Sequence, residues 1–307
     1  MRTALVTLWA VIGLSLTAHA LDQNSYVFVI VMENQNWSSI KGNPDAPYIN
    51  NTLLPTASYC DQYYNPPNLH PSEPNYLWLE AGTNFNVSND GTPALNQQSS
   101  NNHLVTQLSI AGISWRRTYQ ENISGNDVPL TDNYPYLVHH NPFAYFTDIT
   151  SDTNYAIAHI RPFTELASDI TNNNLAHYNF ITPNMFNDMH DLDVQGINNP
   201  VRQGDNWLEQ HLPTILDSPA YRSNGLVLIL WDEGQQRSDG PIGCIVLSPF
   251  AKGRGYHNSI PYTHSSTLRT LQKIYGQTQF LGEAAISNDL SDLLIKRAFR
   301  EPHRRRR

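Results

Sequence analysis

Residues 26–34 read YVFVIVMEN, a continuous apolar run rich in Val and Ile that stops at a carboxylate, Glu33, and a carboxamide, Asn34. An apolar run without alternation predicts a strand covered on both faces. A second run of the same design, LVLILW at 226–231, delivers Asp232 and Glu233. Further strand-like runs lie at 113–119, 178–182 and 242–247. Apolar residues recur at helical spacing over 103–111 before Gly112, over 163–170, over 205–216 with Asp205 as its N-cap, and over 265–275 before Gly276. A last helix is expected over 290–299, behind the cap residues Ser287, Asn288 and Asp289. Strands and helices alternate, which predicts an α/β fold with a mostly parallel central sheet flanked by helices. The polar stretches 84–101 and 122–136 are expected to be long surface loops of the kind that wall a site.

Two features of composition change this picture. Residues 1–20 carry an early Arg2, an apolar stretch over 4–16 and a small-x-small ending, Ala18-His19-Ala20, the pattern of a secretory signal. The apolar stretch is short for a bilayer span, so a secreted or periplasmic protein without a membrane span after signal cleavage is expected. Removing 20 of the 307 residues leaves 287, enough for a single domain over 21–307 that ends in a short basic tail, Arg304 to Arg307. The formal net charge is −8, and loss of Arg2 makes it −9, which argues against a nucleic-acid partner. The two cysteines, Cys60 and Cys244, leave pairing open, because sequence does not give their separation.

Acidic ends on two buried strands raise a chemical question. Open α/β sheets place their ligand crevice at the carboxyl ends of the strands. Carboxylates gathered there repel one another, so Glu33, Asp232 and Glu233 in one place call for a cation. Oxygen ligands suit one hard divalent metal ion, of identity left open. Ser72 lies in HPSEPN, with Pro71 before it and Pro74 two residues after it. The prolines pin the backbone and place the hydroxyl at the start of a helix expected over 75–81, where the helix dipole favours an anion. Taken alone, such a serine is an ordinary helix cap; beside a cation it becomes a candidate nucleophile.

The motifs VMEN at 31–34, HPSEPNYLWLEAGT at 70–83, AGISWRRTY at 111–119, HHNPFAYF at 139–146, TPNMFNDMHD at 182–191, GDNWL at 204–208, WDEG at 231–234 and THSSTLRTL at 263–271 occur together in this order. In them the chain resembles the bacterial phosphoesterase family of phospholipases C and secreted acid phosphatases, a branch of the alkaline-phosphatase-like superfamily. The resemblance implies a hydrolase acting on phosphate esters. It implies Glu33, Asn34, Ser72, Asp232 and Glu233 as metal ligands, Ser72 also as the nucleophile that carries a phosphoserine intermediate, and His140, His190 and His264 in the phosphate pocket. His139 competes with its neighbour for one of these roles, whereas His70, His103 and His177 are expected no nearer than the rim. The chain is shorter than the phospholipases, has Ser72 where they have threonine, and follows its Asp-Glu pair with Gly234-Gln235-Gln236, which tilts the expectation toward the acid phosphatases. The substrate expected is a small phosphate ester or a phospholipid headgroup. A secreted binding protein that keeps the fold without catalysis is the alternative from another class. Asn75 stands where a sulfatase pattern requires arginine, which weakens a sulfatase reading.

Overall fold

The computed structural model describes residues 20–115, 117–192, 196–235, 240–296 and 298, with Arg117 described by its backbone alone. The expected signal segment apart from Ala20, the end of the expected last helix and the basic tail lie outside the described residues. In chain order the strands are Val27–Met32 (β1), Ser58–Cys60 (β2), Tyr63–Tyr64 (β3), Arg117–Gln120 (β4), Ile160–Pro162 (β5), Tyr178–Thr182 (β6), Leu226–Trp231 (β7), Cys244–Leu247 (β8), Tyr256–Asn258 (β9) and Tyr262–Thr263 (β10). Eight of them form one sheet in the order β5-β4-β6-β1-β7-β8-β2-β9, and β3 pairs with β10 separately. From β5 to β7 every pairing is parallel, and β8 runs antiparallel to both β7 and β2. The fold is therefore α/β with a mostly parallel central sheet and flanking helices.

The two apolar runs become the centre of this sheet. Every residue of β1 and β7 is buried, because helices and loops cover both faces. Their register pairs Val27 with Leu226 and Met32 with Trp231. Glu33 and Asp232, one residue further on, therefore emerge side by side at the carboxyl edge. On the other side of β1, strand β6 pairs Ile30 with Ile181, so the loop after Thr182 opens at the same edge.

Several helices begin or end elsewhere than the periodicity indicates. The helix expected from residue 75 starts at Ser72 and runs as Ser72–Ala81. It stops at Gly82, whose φ of +68° only glycine adopts freely, and a Cβ there would stand 2.7 Å from the Leu281 carbonyl oxygen. The helix expected from Asp205 begins earlier, as Pro200–Leu216. Pro200 fits its first turn, and the Asn199 side chain caps it by accepting from the Val201 and Arg202 N–H groups. Asp205 is thus not the cap. Its buried carboxylate instead accepts from the Tyr48 and Ile49 N–H groups at 2.9 and 2.8 Å. Asp205→Ala leaves both donors unpaired in the interior and is expected to cost about 2–4 kcal/mol, read from the urea midpoint.

The expected last helix is a single 3-10 turn, Leu290–Leu293. Its cap signal holds, since Asp289 accepts from the Ser291 N–H. Beyond it the Ile295 N–H bonds the Phe250 carbonyl and Leu294 bridges to Ala251, so docking onto the loop after β8 replaces helical bonding. The strand expected over 113–119 is displaced to Arg117–Gln120, because Trp115 turns inward to stack on Phe143 and His159. Strands β2 and β8 set Cys60 opposite Cys244, and both buried thiols are free.

One buried acid on the Ser72 helix controls stability with pH. Glu80 is fully enclosed, accepts from the Tyr178 hydroxyl at 2.5 Å, and burial pushes its pKa to about 8 from an ordinary 4.5. A raised carboxyl favours the protonated fold, so its contribution is full below pH 4.5 and is lost as pH rises toward 8. Urea unfolding at pH 5 and pH 8 should show wild type losing on the order of 4 kcal/mol more than Glu80→Gln, which has no proton to release there. Equal losses in the two proteins would remove Glu80 as the cause.

Candidate active site

Ser72 opens its helix, and nothing caps it from Pro71. The Glu73 N–H of its first turn donates to Asp90 Oδ1 at 2.9 Å, while the Ser72 hydroxyl turns to the strand ends. The Ser72 hydroxyl donates to Glu33 Oε2 at 3.1 Å and lies close enough to Asp232 to lower that carboxyl's pKa. The Asn34 N–H donates to Asp232 Oδ1 at 3.1 Å. Two strand tips and one helix start, 38 to 199 positions apart in the chain, thus meet at a single point.

The charge at this point is unusual. Glu33 and Asp232 are fully buried, and among the described residues no lysine or arginine pairs with either. Burial drives the Glu33 carboxyl well above its usual range, with Asp232 and Asp188 adding repulsion, and burial raises Asp232 as well. Asp232 Oδ2 has no hydrogen-bond partner. The Asn34 amide is the telling detail. With its nitrogen turned inward it donates to Asp232 Oδ1 and Glu33 Oε2, at 3.2 and 3.3 Å, and its oxygen accepts from His190 Nε2 at 2.9 Å. With its oxygen inward, oxygens of Glu33, Asn34 and Asp232 face one another with no proton between them, an arrangement that a cation offsets. Among the described residues no three His, Cys, Asp or Glu side chains gather for a metal, so a cation here would draw on two carboxylates, a carboxamide and a hydroxyl. The donor set fits a hard divalent ion.

The other expected site residues divide. Glu233 Oε2 accepts from Asn75 Nδ2 and pairs with His70 Nδ1, each at 2.9 Å. Asn75 Nδ2 also bonds the Leu69 and Pro71 carbonyls, so Glu233 holds the turn that carries Ser72 and brings His70 closer than its sequence suggested. His264 is fully buried, its Nε2 donating to the Asp232 carbonyl at 2.6 Å and its Nδ1 facing the Tyr63 hydroxyl at 3.2 Å. Both ring nitrogens are used within the protein, and burial lowers its pKa to about 4, so His264 is a neutral prop behind Asp232. This differs from its expected place in the phosphate pocket, because the capping turn at Thr263 points the ring inward.

His140 is buried against the Tyr76 ring, stacked at 5.2 Å, with Nε2 3.5 Å from Glu33 Oε1 and Nδ1 3.8 Å from Asp188 Oδ2. Burial holds its pKa well below the usual value. His139, the alternative, stands 4.0 Å from Asp90 on the wall formed by the 84–101 loop. His190 is exposed, and its Nδ1 pairs with Asp191 at 2.7 Å. His103 pairs with Asp148, and His177 stacks near Tyr26, neither with a bond to Ser72, Glu33 or Asp232.

Two residues of the site escaped the sequence reading as site members. Asp188 is fully buried, its backbone carbonyl accepts from the Glu33 N–H at 2.7 Å, and its Oδ1 accepts from the His190 N–H at 2.8 Å. Tyr76 donates to Glu33 Oε1 at 2.5 Å. A signal existed for Tyr76, four residues after Ser72 and so one helical turn along the same face. Asp188 stood among other acids, of which Asp193 lies outside the described residues, and nothing local separates a buried acid from a solvated one.

Among proteins of known identity, the phosphatidylinositol-3-phosphatase of Mycobacterium tuberculosis is 28% identical over 278 residues, covering 90% of this chain and 86% of that protein. The phosphate-repressible acid phosphatase of Penicillium chrysogenum is 31% identical over 174 residues, covering 55% of this chain, which spans only 40% of that longer protein. Among solved structures, a protein in the alkaline phosphatase superfamily from Vibrio parahaemolyticus aligns with a TM-score of 0.55 at 10% identity, over 83% of this chain and 67% of that one, a likeness of fold. The Phosphoesterase family matches residues 43–278, a span that begins after Glu33 and Asn34 and takes in Ser72, His140, His190, Asp232 and His264. A match over so much of the chain decides its membership: it belongs to the Phosphoesterase family and is a hydrolase acting on ester bonds.

Proposed function

We propose that the chain is an exported, metal-dependent phosphatase that cleaves phosphate monoesters with Ser72 as nucleophile. The observation that carries this reading is the Ser72 hydroxyl, presented by a helix start and 3.1 Å from Glu33 Oε2 beside Asp232. That hydrogen bond turns the proton of Ser72 toward Glu33 and leaves its oxygen lone pairs free for phosphorus. Attack forms the Ser72 Oγ–phosphorus bond and breaks the ester bond, whose oxygen leaves with a proton. Water then cleaves phosphoserine, releasing inorganic phosphate and restoring the hydroxyl.

Glu33, Asn34, Asp232 and Ser72 would hold one divalent ion, and when bound it supplies positive charge for the phosphoryl oxygens. His190 is exposed, pairs with Asp191 through Nδ1 and meets the Asn34 amide through Nε2, which supports a role in orienting Asn34 at the junction. Asp188 fixes that loop through the His190 N–H, and His264 fixes the Asp232 backbone. Glu233 braces the turn that carries Ser72 through His70 and Asn75. Export is supported by the apolar pattern of residues 1–20, and among the described residues no helix is long and apolar enough to cross a membrane.

A substrate panel tests the class: 4-nitrophenyl phosphate, bis(4-nitrophenyl) phosphate, phosphatidylcholine and phosphatidylinositol 3-phosphate, each with and without chelator. Chelator-sensitive hydrolysis of the monoesters alone is expected. Faster release from the diester or from phosphatidylcholine would make it a phosphodiesterase of the phospholipase type instead.

A further inference from the structure

An exposed aromatic ring is built onto the rim of this site. Tyr134 is 56% exposed and sits at the tip of a turn closed by reciprocal backbone bonds between Asn133 and Tyr136, at 3.0 and 2.9 Å. The tip is tied to the His190 loop at three points. The Pro135 carbonyl accepts from the Met185 N–H at 3.1 Å, the Tyr134 and Phe186 rings meet near a right angle with centroids 5.3 Å apart, and the Tyr134 hydroxyl donates to Asp191 Oδ2 at 2.8 Å. Asp191 Oδ1 holds His190 Nδ1, and His190 Nε2 reaches the Asn34 amide. A chain of side-chain bonds thus runs from the ring to the junction of Glu33, Asn34 and Asp232. An exposed tyrosine on a mobile loop needs no explanation. One held by a second ring and by its hydroxyl while more than half exposed is a preformed stacking platform.

We propose that Tyr134 forms a subsite for the leaving group and that it selects flat, aromatic phosphate monoesters over aliphatic ones. This rests on the reading of the Ser72 junction as the site of phosphate binding. Tyrosine contributes a large ring face for little lost side-chain freedom, and stacking there acts on the part of the ester that departs. The charge around the ring favours a soluble ester over a lipid surface. The Asp191 carboxylate at the Tyr134 hydroxyl disfavours a negatively charged membrane face.

The test measures binding rather than turnover, on the full chain carrying Ser72→Ala with a divalent cation present. Calorimetry compares 1-naphthyl phosphate with glycerol 3-phosphate. The naphthyl ester is expected to bind about tenfold tighter or better, a preference erased by Tyr134→Ala and kept by Tyr134→Phe, which retains the ring but loses the bond to Asp191. No preference in the parent, or a preference that survives Tyr134→Ala, overturns the subsite. Tighter binding of phosphatidylinositol 3-phosphate vesicles than of the naphthyl ester, lost in Tyr134→Ala, also overturns it by making the rim a lipid contact. Failure of the catalytic reading is separate and visible elsewhere: it appears as turnover that persists in Ser72→Ala.

Discussion

Ser72→Ala is expected to abolish hydrolysis of 4-nitrophenyl phosphate, with kcat falling by about four orders of magnitude or more, while the chain stays folded. The loss is large because no neighbour can take the place of the hydroxyl. The residues around it are carboxylates, a carboxamide and a tyrosine already donating to Glu33, and none presents an oxygen at a helix start. The structural cost is small by comparison. One hydrogen bond to Glu33 is lost, about 1 kcal/mol, and Glu33 retains the Tyr76 hydroxyl as a donor. Acid quenching of wild type during turnover should trap phosphate on the peptide containing Ser72, and the variant should trap none. A variant that turns over at more than a few per cent of wild type would reassign the nucleophile.

Chelation is expected to have the second largest effect. Dialysis against a chelator should lower kcat/KM by about a thousandfold or more, and a divalent cation should restore it. The reason lies in the buried acids. Without a cation, Glu33 and Asp232 hold protons well above the usual carboxylate range, and Asp232 Oδ2 lacks any partner. A phosphate dianion brought to that point meets no positive charge among the described side chains. Asp232→Asn should weaken metal binding by one to two orders of magnitude, measured by competition with a fluorescent chelator, with little change in fold because the Asn34 N–H still finds an oxygen. Full activity in metal-free protein, verified by elemental analysis, would end the metal reading.

Much of the site was legible in the chain for a simple reason. A strand buried on both faces shows as an unbroken apolar run, and a charged residue at its end has only a few places to go. Glu33 and Asp232 were readable on that ground, as was Ser72, pinned by Pro71 and shown to open a helix. The helix ends were less so. Asp205 looks like a cap because acids often are caps, but Pro200 moved the start upstream and left Asp205 free to accept bonds from a distant turn. Glu233 was judged by adjacency to Asp232. Its carboxylate meets His70 and Asn75, partners more than 150 positions away that no local pattern announces.

The sequence by itself determined the class of fold, the two central strands with their acidic ends and the serine at a helix start. These follow from local periodicity, from proline and from the cost of burying charge, all of which act within a few residues. The tertiary structure alone decided that Asp188 is buried and engaged, that His264 spends both nitrogens on the protein, and that Tyr134 is tied through Asp191 to His190. Each of those outcomes depends on the register of β1 with β7 and on partners tens to hundreds of residues apart. A hydrogen bond across such a separation leaves no periodic trace in the chain, so only the assembled sheet and its loops fix which polar groups meet.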